Sequence, residues 1–210
     1  MWKEMNEKGS SGYEFLVVSV VCLILSAIIL FIAIKSGDAE KMQVFRYHAN
    51  RVALSSISLK YQNSQDTIYL EDMIDQGLIS PLKNPFGGEK WCDIEESKVE
   101  FIDGKRCVTL QCGNYLIYQQ PVGEETYVIY RVDEWSTKKQ GNTDEKKVYN
   151  LQIDQKDIFA KYYEEDLFIS KVNNQFHTNY QTLEEIKSDY QVHVQTVYRK
   201  RTKVSEITDS

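Results

Sequence analysis

An uninterrupted apolar run near the N-terminus dominates the pattern of hydrophobic and polar positions along the chain. Twenty residues, Phe15 to Ile34, contain no charged side chain, and Glu14 stands directly before them. As a helix the run is roughly 30 Å long, the thickness of the bilayer hydrocarbon core. It is longer than the apolar core of a secretory signal, and the KSGDAEKM that follows lacks a small-x-small cleavage site. The pattern therefore predicts a membrane-spanning helix that stays with the protein.

The polar stretch that follows keeps a helical period. Neither proline nor glycine interrupts Asp38 to Gln62, and apolar or small residues recur there at steps of three and four. This predicts one long helix over 10–62, with Ser36-Gly37 as the point where its two halves meet at an angle. The alternative is a plain membrane anchor followed by a separate amphipathic helix. The predicted buried face consists of Met42, Phe45, Ala49, Val52, Ser56 and Leu59.

Beyond the long helix the period changes, and the pattern predicts a short helix, a loop and then strands. A helix is predicted over Thr67–Gln76, with Gly77 as a left-handed cap. Leu78 to Trp91 holds two prolines and a glycine pair, which predicts an ordered loop. Alternating residues with turns at Asp103-Gly104 and Gly113-Asn114 predict an antiparallel meander. Strands are predicted at 98–102, 106–112, 115–120, 126–134, 148–153, 166–172 and 190–199. The predicted fold class is α+β, a long N-terminal helix packed on an antiparallel sheet.

Composition narrows the possible functions. The 210 residues carry a formal net charge of -6, so direct binding of nucleic acid is not expected. The flanks of the apolar run carry lysine or arginine on both sides, and the positive-inside rule is neutral at best. The acidic, cysteine-containing C-terminal part is expected to lie outside the cytoplasm.

Three of the four cysteines fall in this predicted exterior part. Pairing the strands about Asp103-Gly104 places Val99 opposite Val108 and position 95 opposite Cys112. Cys92 precedes this hairpin, so a Cys92–Cys112 disulfide is the favoured prediction, with Cys107 left free. A Cys92–Cys107 bridge and three free thiols are the alternatives. Cys22, in the apolar run, is expected to act as a small apolar side chain.

No residue pattern predicts catalysis, a cofactor or a metal. His48, His177 and His193 are scattered and show no ligand spacing. The acidic group Asp93, Glu95 and Glu96 could hold calcium but lacks the alternating pattern of a calcium loop, and a solvated loop is preferred. The basic cluster Arg199-Lys200-Arg201-Lys203 is interpreted as a solvated strand end, with docking on a neighbouring subunit as a minor alternative.

The segment KGSSGYE before the apolar run resembles the processing site of type IV prepilins and pseudopilins. That family has a short polar leader ending in glycine and a glutamate at the fifth mature position. Here Gly9 and Ser10 flank the corresponding cut, and Glu14 is the fifth residue after it. Most relatives begin with Phe or Met and carry Thr-Leu-Ile before the glutamate, whereas this chain has Ser10, Ser11, Gly12 and Tyr13. Pro85-Phe86-Gly87 also resembles the loop that joins the pseudopilin helix to its sheet.

The resemblance implies a domain organisation and a function. Residues 1–9 form a leader, 10–62 the long helix with a transmembrane segment at 15–34, and 63–210 an exterior globular domain. By the same resemblance, a prepilin peptidase is expected to remove the leader, Ser10 to become an N-methylated terminus, and an assembly ATPase and a platform protein to drive the subunits from the membrane lipid into a filament. The amine of Ser10 is expected to pair there with Glu14 of a neighbouring subunit; the alternative is that Glu14 only lies at the lipid boundary.

The implied role is a non-enzymatic pilin or pseudopilin of a type IV pilus, type II secretion or competence machinery. Its implied partners are other pilin subunits, the peptidase, the ATPase and the platform protein. The competing hypothesis is a single-pass, membrane-anchored exterior binding or sensory protein with an uncleaved signal anchor.

Overall fold

A computed structural model describes residues 12–63, 65–119, 126–154, 156–158 and 163–208. The chain divides into two compact units, Met1–Val44 and Phe45–Ser210, and the boundary falls inside the first helix. The fold class is α+β, with a long N-terminal helix and an antiparallel sheet, as predicted.

The first helix, α1, covers Gly12–Asn63 without interruption at Ser36-Gly37. In the second unit its buried face consists of small and apolar side chains spaced at three and four residues, which confirms the predicted period. This half of the helix lies against a six-stranded sheet. Arg106 donates to the Ala53 carbonyl at 3.3 Å, and the Tyr127 hydroxyl donates to Asn50. The buried helix residues are Phe45, Ala49, Val52, Ala53, Ser56 and Leu59.

The larger sheet has the strand order β1-β2-β3-β4-β5-β9, and every neighbouring pair is antiparallel. The meander from β2 to β5 is the one predicted from the alternating pattern. Asp103 and Gly104 both have positive φ, which gives the tight hairpin turn that an Asp-Gly pair favours. The strands are β1 (Thr67–Tyr69), β2 (Asp93–Ile102), β3 (Lys105–Cys112), β4 (Tyr115–Gln119), β5 (Thr126–Val132) and β9 (Arg201–Thr208).

A three-stranded sheet with the order β7-β6-β8 carries a second core. Two helices, α3 and α4, contribute buried apolar side chains to that core, among them Phe168 and Ile186. Only Lys200 separates β8 from β9, so the C-terminal chain passes directly from one sheet to the other. The elements are β6 (Asp144–Ile153), β7 (Lys156–Asp157), α3 (Glu165–Phe176), α4 (Leu183–Asp189) and β8 (Gln191–Arg199).

Two sequence predictions of secondary structure are wrong. Residues 166–172, predicted as a strand, belong to α3, because the side chains of Leu167, Phe168 and Val172 are buried together on one helical face. The predicted helix over Thr67–Gln76 begins with a strand, since Thr67–Tyr69 pairs with β2, and only Leu70–Asp75 forms helix α2. The predicted cap is present, because Gly77 has a φ of +69° and Leu78 donates its backbone N–H to the Met73 carbonyl.

Candidate functional site

The first unit presents an apolar helix surface on every side. From Leu16 to Ile32, a stretch named here the apolar segment, every side chain is exposed, with Leu23 at 71% and Ile29 at 68%. Among the described residues this is the one helix that is long and apolar enough to cross a membrane, judged by length and composition. Soluble proteins rarely expose so large a contiguous apolar surface. The segment therefore requires lipid or other protein chains around it.

The predicted processing and assembly residues precede this segment in the sequence. Gly9 and Ser10 are outside the described residues. Glu14 belongs to α1 and precedes the apolar segment by two residues. Cys22 lies within the segment as a free, exposed cysteine, and its carbonyl accepts a hydrogen bond from Ser26.

The second half of α1 has an exposed stripe that was not predicted from the sequence. Tyr47, Leu54 and Tyr61 are all exposed, Tyr61 to 86%, and they recur at seven-residue steps. Side chains at this spacing lie on one face of a helix. We name this face the outer stripe. The seven-residue spacing is visible in the sequence, at positions that fall between those of the predicted buried face.

A disulfide joins Cys92 to Cys112, twenty residues apart, which is the pairing favoured from the sequence. The predicted register is correct for Val99 and Val108, but position 95 does not face Cys112. A β-bulge between Asp93 and Lys98 shifts the pairing and places Asp93 opposite Gln111. Continuing that register, Cys92 lies opposite Cys112.

The disulfide fixes one end of the proline loop against the helix and the sheet. Phe86 stacks on Tyr115 with ring centroids 3.9 Å apart and meets Phe45 edge-on at 5.1 Å. Asn84 donates to the Gly87 carbonyl at 2.9 Å, and a Cβ at Gly113 would lie 3.0 Å from its side-chain nitrogen. The loop therefore needs glycine at the position directly after Cys112.

Cys107 is free and fully buried. Its thiol donates to the Gln119 carbonyl at 3.0 Å. Burial raises the pKa of this thiol, so the reactive thiolate is disfavoured.

The acidic group Asp93, Glu95 and Glu96 is not the solvated loop that was predicted. All three residues are half-buried in the bulge of β2. Asp93 accepts hydrogen bonds from the backbone N–H groups of Glu95 and Glu96, which holds the bulge. Because Glu96 pairs with Lys146 and Glu95 lies 3.8 Å from Lys171, these carboxylates serve as ion-pair partners between elements. No cluster of potential metal ligands occurs among the residues that the structure describes.

The interpretation of the basic cluster as a solvated strand end is wrong for Arg199. This side chain is 7% exposed, stacks on the Trp135 ring at 4.3 Å and donates to Gln111 at 2.7 Å. Arg201 contacts the Tyr130 ring and pairs with Asp144 at 3.1 Å.

Ion pairs connect the two sheets and the segment before α3. Glu96 of the larger sheet pairs with Lys146 of the smaller one, and Glu164 lies 3.0 Å from Lys98 and 3.8 Å from Lys146. Burial opposes the charged form of Lys98, but Glu164 and Glu100 outweigh it and raise the pKa of Lys98. Burial also opposes ionisation of Glu164, and the two lysines outweigh it and lower its pKa.

The three histidines lie in different elements. His48 is in α1, His177 ends α3 with a positive φ, and His193 is an exposed residue of β8. His48 donates from Nε2 to the Lys83 carbonyl at 3.1 Å and ties the helix to the proline loop.

No family model, no curated protein and no solved structure matches this chain.

Proposed function

We propose that this chain is a structural subunit, a pilin or pseudopilin, that a prepilin peptidase processes and that assembles into a type IV pilus-like filament. The observation that carries the proposal is the apolar segment, exposed on all sides and continuous with a helix half that packs on an antiparallel sheet. Such a segment suits two environments, lipid before assembly and a bundle of identical helices afterwards.

The transfer from lipid to bundle has little net hydrophobic driving force, because lipid tails and leucine side chains are equally apolar. Close packing and specific polar pairs must then set the position of each subunit. Glu14 supplies one such group, since a carboxylate at the hydrocarbon boundary is costly until it is paired. The amine of a processed Ser10 on the neighbouring subunit is its proposed partner.

The outer stripe supports assembly over simple anchoring. Tyr47, Leu54 and Tyr61 are exposed on the half of α1 that a membrane anchor has no reason to keep apolar. Their seven-residue spacing suits packing against another helix. We propose that this stripe meets α1 of a neighbouring subunit.

The proposed location follows from the disulfide and the apolar segment. A disulfide persists in oxidising compartments, so Cys92–Cys112 favours a C-terminal domain outside the cytoplasm. The subunit is proposed to wait in the cell membrane and to leave it for an extracellular filament. Its partners are other pilin subunits, the peptidase, an assembly ATPase and a platform protein, and it carries out no catalysis itself.

The competing candidate is a single-pass, membrane-anchored binding protein that keeps its signal anchor. The apolar segment supports this candidate equally, and polar cavities in the second unit are compatible with a ligand. Cleavage after Gly9 is the property that separates the two candidates.

Co-expression with a prepilin peptidase tests the proposal. The mass of the purified chain is expected to fall by the mass of residues 1–9, and the Gly9→Val substitution is expected to prevent this cleavage. Glu14→Ala is the second variant, expected to be cleaved normally and to fail in polymerisation. A chain that always begins at Met1, or a Glu14→Ala variant that polymerises like the parent chain, contradicts the proposal.

A further inference from the structure

The strands at the ends of the two sheets differ in how their open edges are protected. An open edge presents unpaired main-chain groups to other chains, and short strands, charged side chains or bulges usually prevent such pairing. β1 and β7 are only three and two residues long. β9 carries Arg201, Lys203 and Glu206, and its pairing with β5 is interrupted by a register shift. β8, the end strand of the smaller sheet, is nine residues long, and its pairing with β6 shows no shift.

The open edge of β8 extends over Gln191–Val197, a stretch named here the β8 edge. It contains no lysine, arginine, aspartate or glutamate. It is bounded at one end by Tyr190, whose backbone N–H donates to the Ile186 carbonyl of α4. At the other end it is bounded by the bridge between Ser136 and Tyr198. Within the part of the chain that the structure describes, the main chain of the β8 edge pairs with β6 alone. This edge therefore lacks the protections of the other three.

The bridge to Ser136 shows which main-chain groups of the β8 edge point outward. Tyr198 donates its N–H to the Ser136 carbonyl at 2.8 Å and accepts from the Ser136 N–H at 2.9 Å, so both groups of Tyr198 point away from β6. Residues along an antiparallel strand alternate in this direction. The outward N–H and C=O groups of the β8 edge are therefore those of Val192, Val194 and Thr196.

We propose that the β8 edge pairs with the β8 edge of a second copy of this chain, antiparallel and about a twofold axis at Val194. Val194 then faces the partner's Val194, and Val192 faces the partner's Thr196. In each facing pair both residues have outward N–H and C=O groups, so each pair exchanges two main-chain hydrogen bonds. The two three-stranded sheets become one continuous sheet.

The direction of the main-chain groups fixes this register. A shift by one residue places outward groups opposite inward ones, so it forms no ladder. A twofold axis at His193 keeps the direction but requires Tyr190 to pair with Thr196, although the Tyr190 N–H is already bonded in α4. The axis at Val194 uses the whole β8 edge. It also places His193 opposite the partner's Gln195, so no like charges face each other.

The side chains of the β8 edge favour a second copy over a strand with charged side chains. Val194 is 44% exposed, and pairing covers it with another valine, a β-branched residue suited to a sheet. Two short strands bury less surface than a standard interface of about 1,600 Å², so a weak dimer is expected. The dimer does not depend on the proposed filament, since a twofold contact closes on itself and a filament needs a head-to-tail contact.

Cysteine cross-linking of the full-length chain in detergent tests the pairing. All variants carry Cys22→Ser, which removes the exposed free cysteine. Val194→Cys is expected to give a disulfide-linked dimer under mild oxidation, because hydrogen-bonded facing residues have Cα atoms about 5.5 Å apart, within disulfide range. Val204→Cys is the matched control, a valine of β9 that is 48% exposed, and it is expected to stay monomeric.

The register is tested by two further variants on the same edge. Val192→Cys alone is expected to stay monomeric, whereas Val192→Cys mixed with Thr196→Cys is expected to cross-link. The proposal is overturned if Val194→Cys cross-links no more than Val204→Cys, or if Val192→Cys alone cross-links as much as Val194→Cys.

Charges at the twofold axis separate pairing from a folding defect, with the Val192→Cys and Thr196→Cys mixture as the reporter. Val194→Lys in both chains is expected to lower the cross-linked fraction about fivefold, because like charges then face each other. Val194→Lys in one chain and Val194→Glu in the other are expected to restore it. An undiminished fraction with two lysines, or a lysine and glutamate mixture that cross-links no better than two lysines, overturns the proposal.

Discussion

The two halves of α1 share one helical backbone and differ in what surrounds their side chains. Along the apolar segment every side chain is exposed, whereas between Phe45 and Leu59 the apolar side chains are divided between a buried and an exposed face. The second half has a sheet of its own chain to cover one side. The first half is apolar all round, and a single flat partner could cover only part of it.

This difference separates two requirements that one helix must meet. The second half contributes to the stability of the globular unit, so its buried face is fixed by the packing of the sheet. Along the apolar segment every side chain is exposed, so the composition of the segment depends on the environment around it. Substitutions in the first half should therefore change membrane association, and substitutions of buried residues in the second half should change the free energy of unfolding.

The largest effect is expected from a double substitution that places two charges in the apolar segment. Ile24→Lys with Ile28→Lys places two lysines one helical turn apart near the middle of the segment. Each lysine at the centre of a membrane helix costs about 2.5–3.5 kcal/mol of apparent insertion free energy, hence about 5–7 kcal/mol for the pair. We expect most of the chain to be lost from the carbonate-washed membrane fraction.

Leu54→Lys with Ser58→Lys is the control at the same spacing on the exposed face of the second half. It is expected to leave membrane association unchanged. Equal loss from the membrane fraction in both double variants would show that the two halves do not differ in the way proposed here.

The next largest effect is expected from shortening a buried side chain in the second half of α1. Leu59 is fully buried, so Leu59→Ala is expected to lower the free energy of unfolding by about 2–5 kcal/mol through lost transfer energy and a cavity. Chemical denaturation in detergent, observed by tryptophan fluorescence, measures this loss. Membrane association should not change.

Leu54→Ala supplies the matched control because Leu54 is the same residue type on the exposed face. Its expected effect on the free energy of unfolding is within about 0.5 kcal/mol. A similar loss in both variants would mean that α1 does not pack on the sheet through the Leu59 face.

The elements with local signals were predictable from the sequence. The helical period of α1, the Asp103-Gly104 turn and the cap at Gly77 each depend on residues close in the chain. The helix α4 also has a local signal, since Thr182 accepts from the Glu185 backbone N–H in a Thr-x-x-Glu capping pattern, although the predicted elements did not include this helix.

The elements that depend on distant partners were not predictable. The polar strand β9 has little alternation of its own and is a strand because it pairs with β5. The apolar run Leu167-Phe168-Ile169 is too short for its pattern to distinguish a strand from a helix. Packing against the three-stranded sheet, rather than the local pattern, determines that these residues form α3.

The same limit applies to the candidate sites. The bulge that aligns Cys92 with Cys112 shifts the pairing of β2 with β3 by three residues. No pattern in the sequence of β2 predicts this shift. The burial of Arg199 depends on Trp135 and Gln111, which are far from it in the sequence.

The smallest expected effect is a pH dependence at His48, which tests how the second half of α1 is held by the proline loop. Burial lowers the pKa of His48 below its ordinary value of 6.5 and outweighs the hydrogen bond to the Lys83 carbonyl, which raises it, while the nearby Arg51 acts in the same direction as burial. The folded protein therefore binds this proton less readily than the unfolded chain does. The stability contributed by neutral His48 is complete above pH 6.5 and is lost as the pH falls through the lowered folded pKa.

His48→Gln removes this titration, and the Tm difference between the parent chain and the variant is expected to shrink from pH 8 to pH 5. His193→Gln, at an exposed position of β8, controls for the loss of a histidine and should leave the pH profile of the parent chain unchanged. A Tm difference that stays constant across this range would mean that His48 keeps the same protonation in the folded and unfolded chain. The hydrogen bond to the Lys83 carbonyl would then hold the loop to the helix equally across this pH range, together with the packing of Phe86 on Phe45.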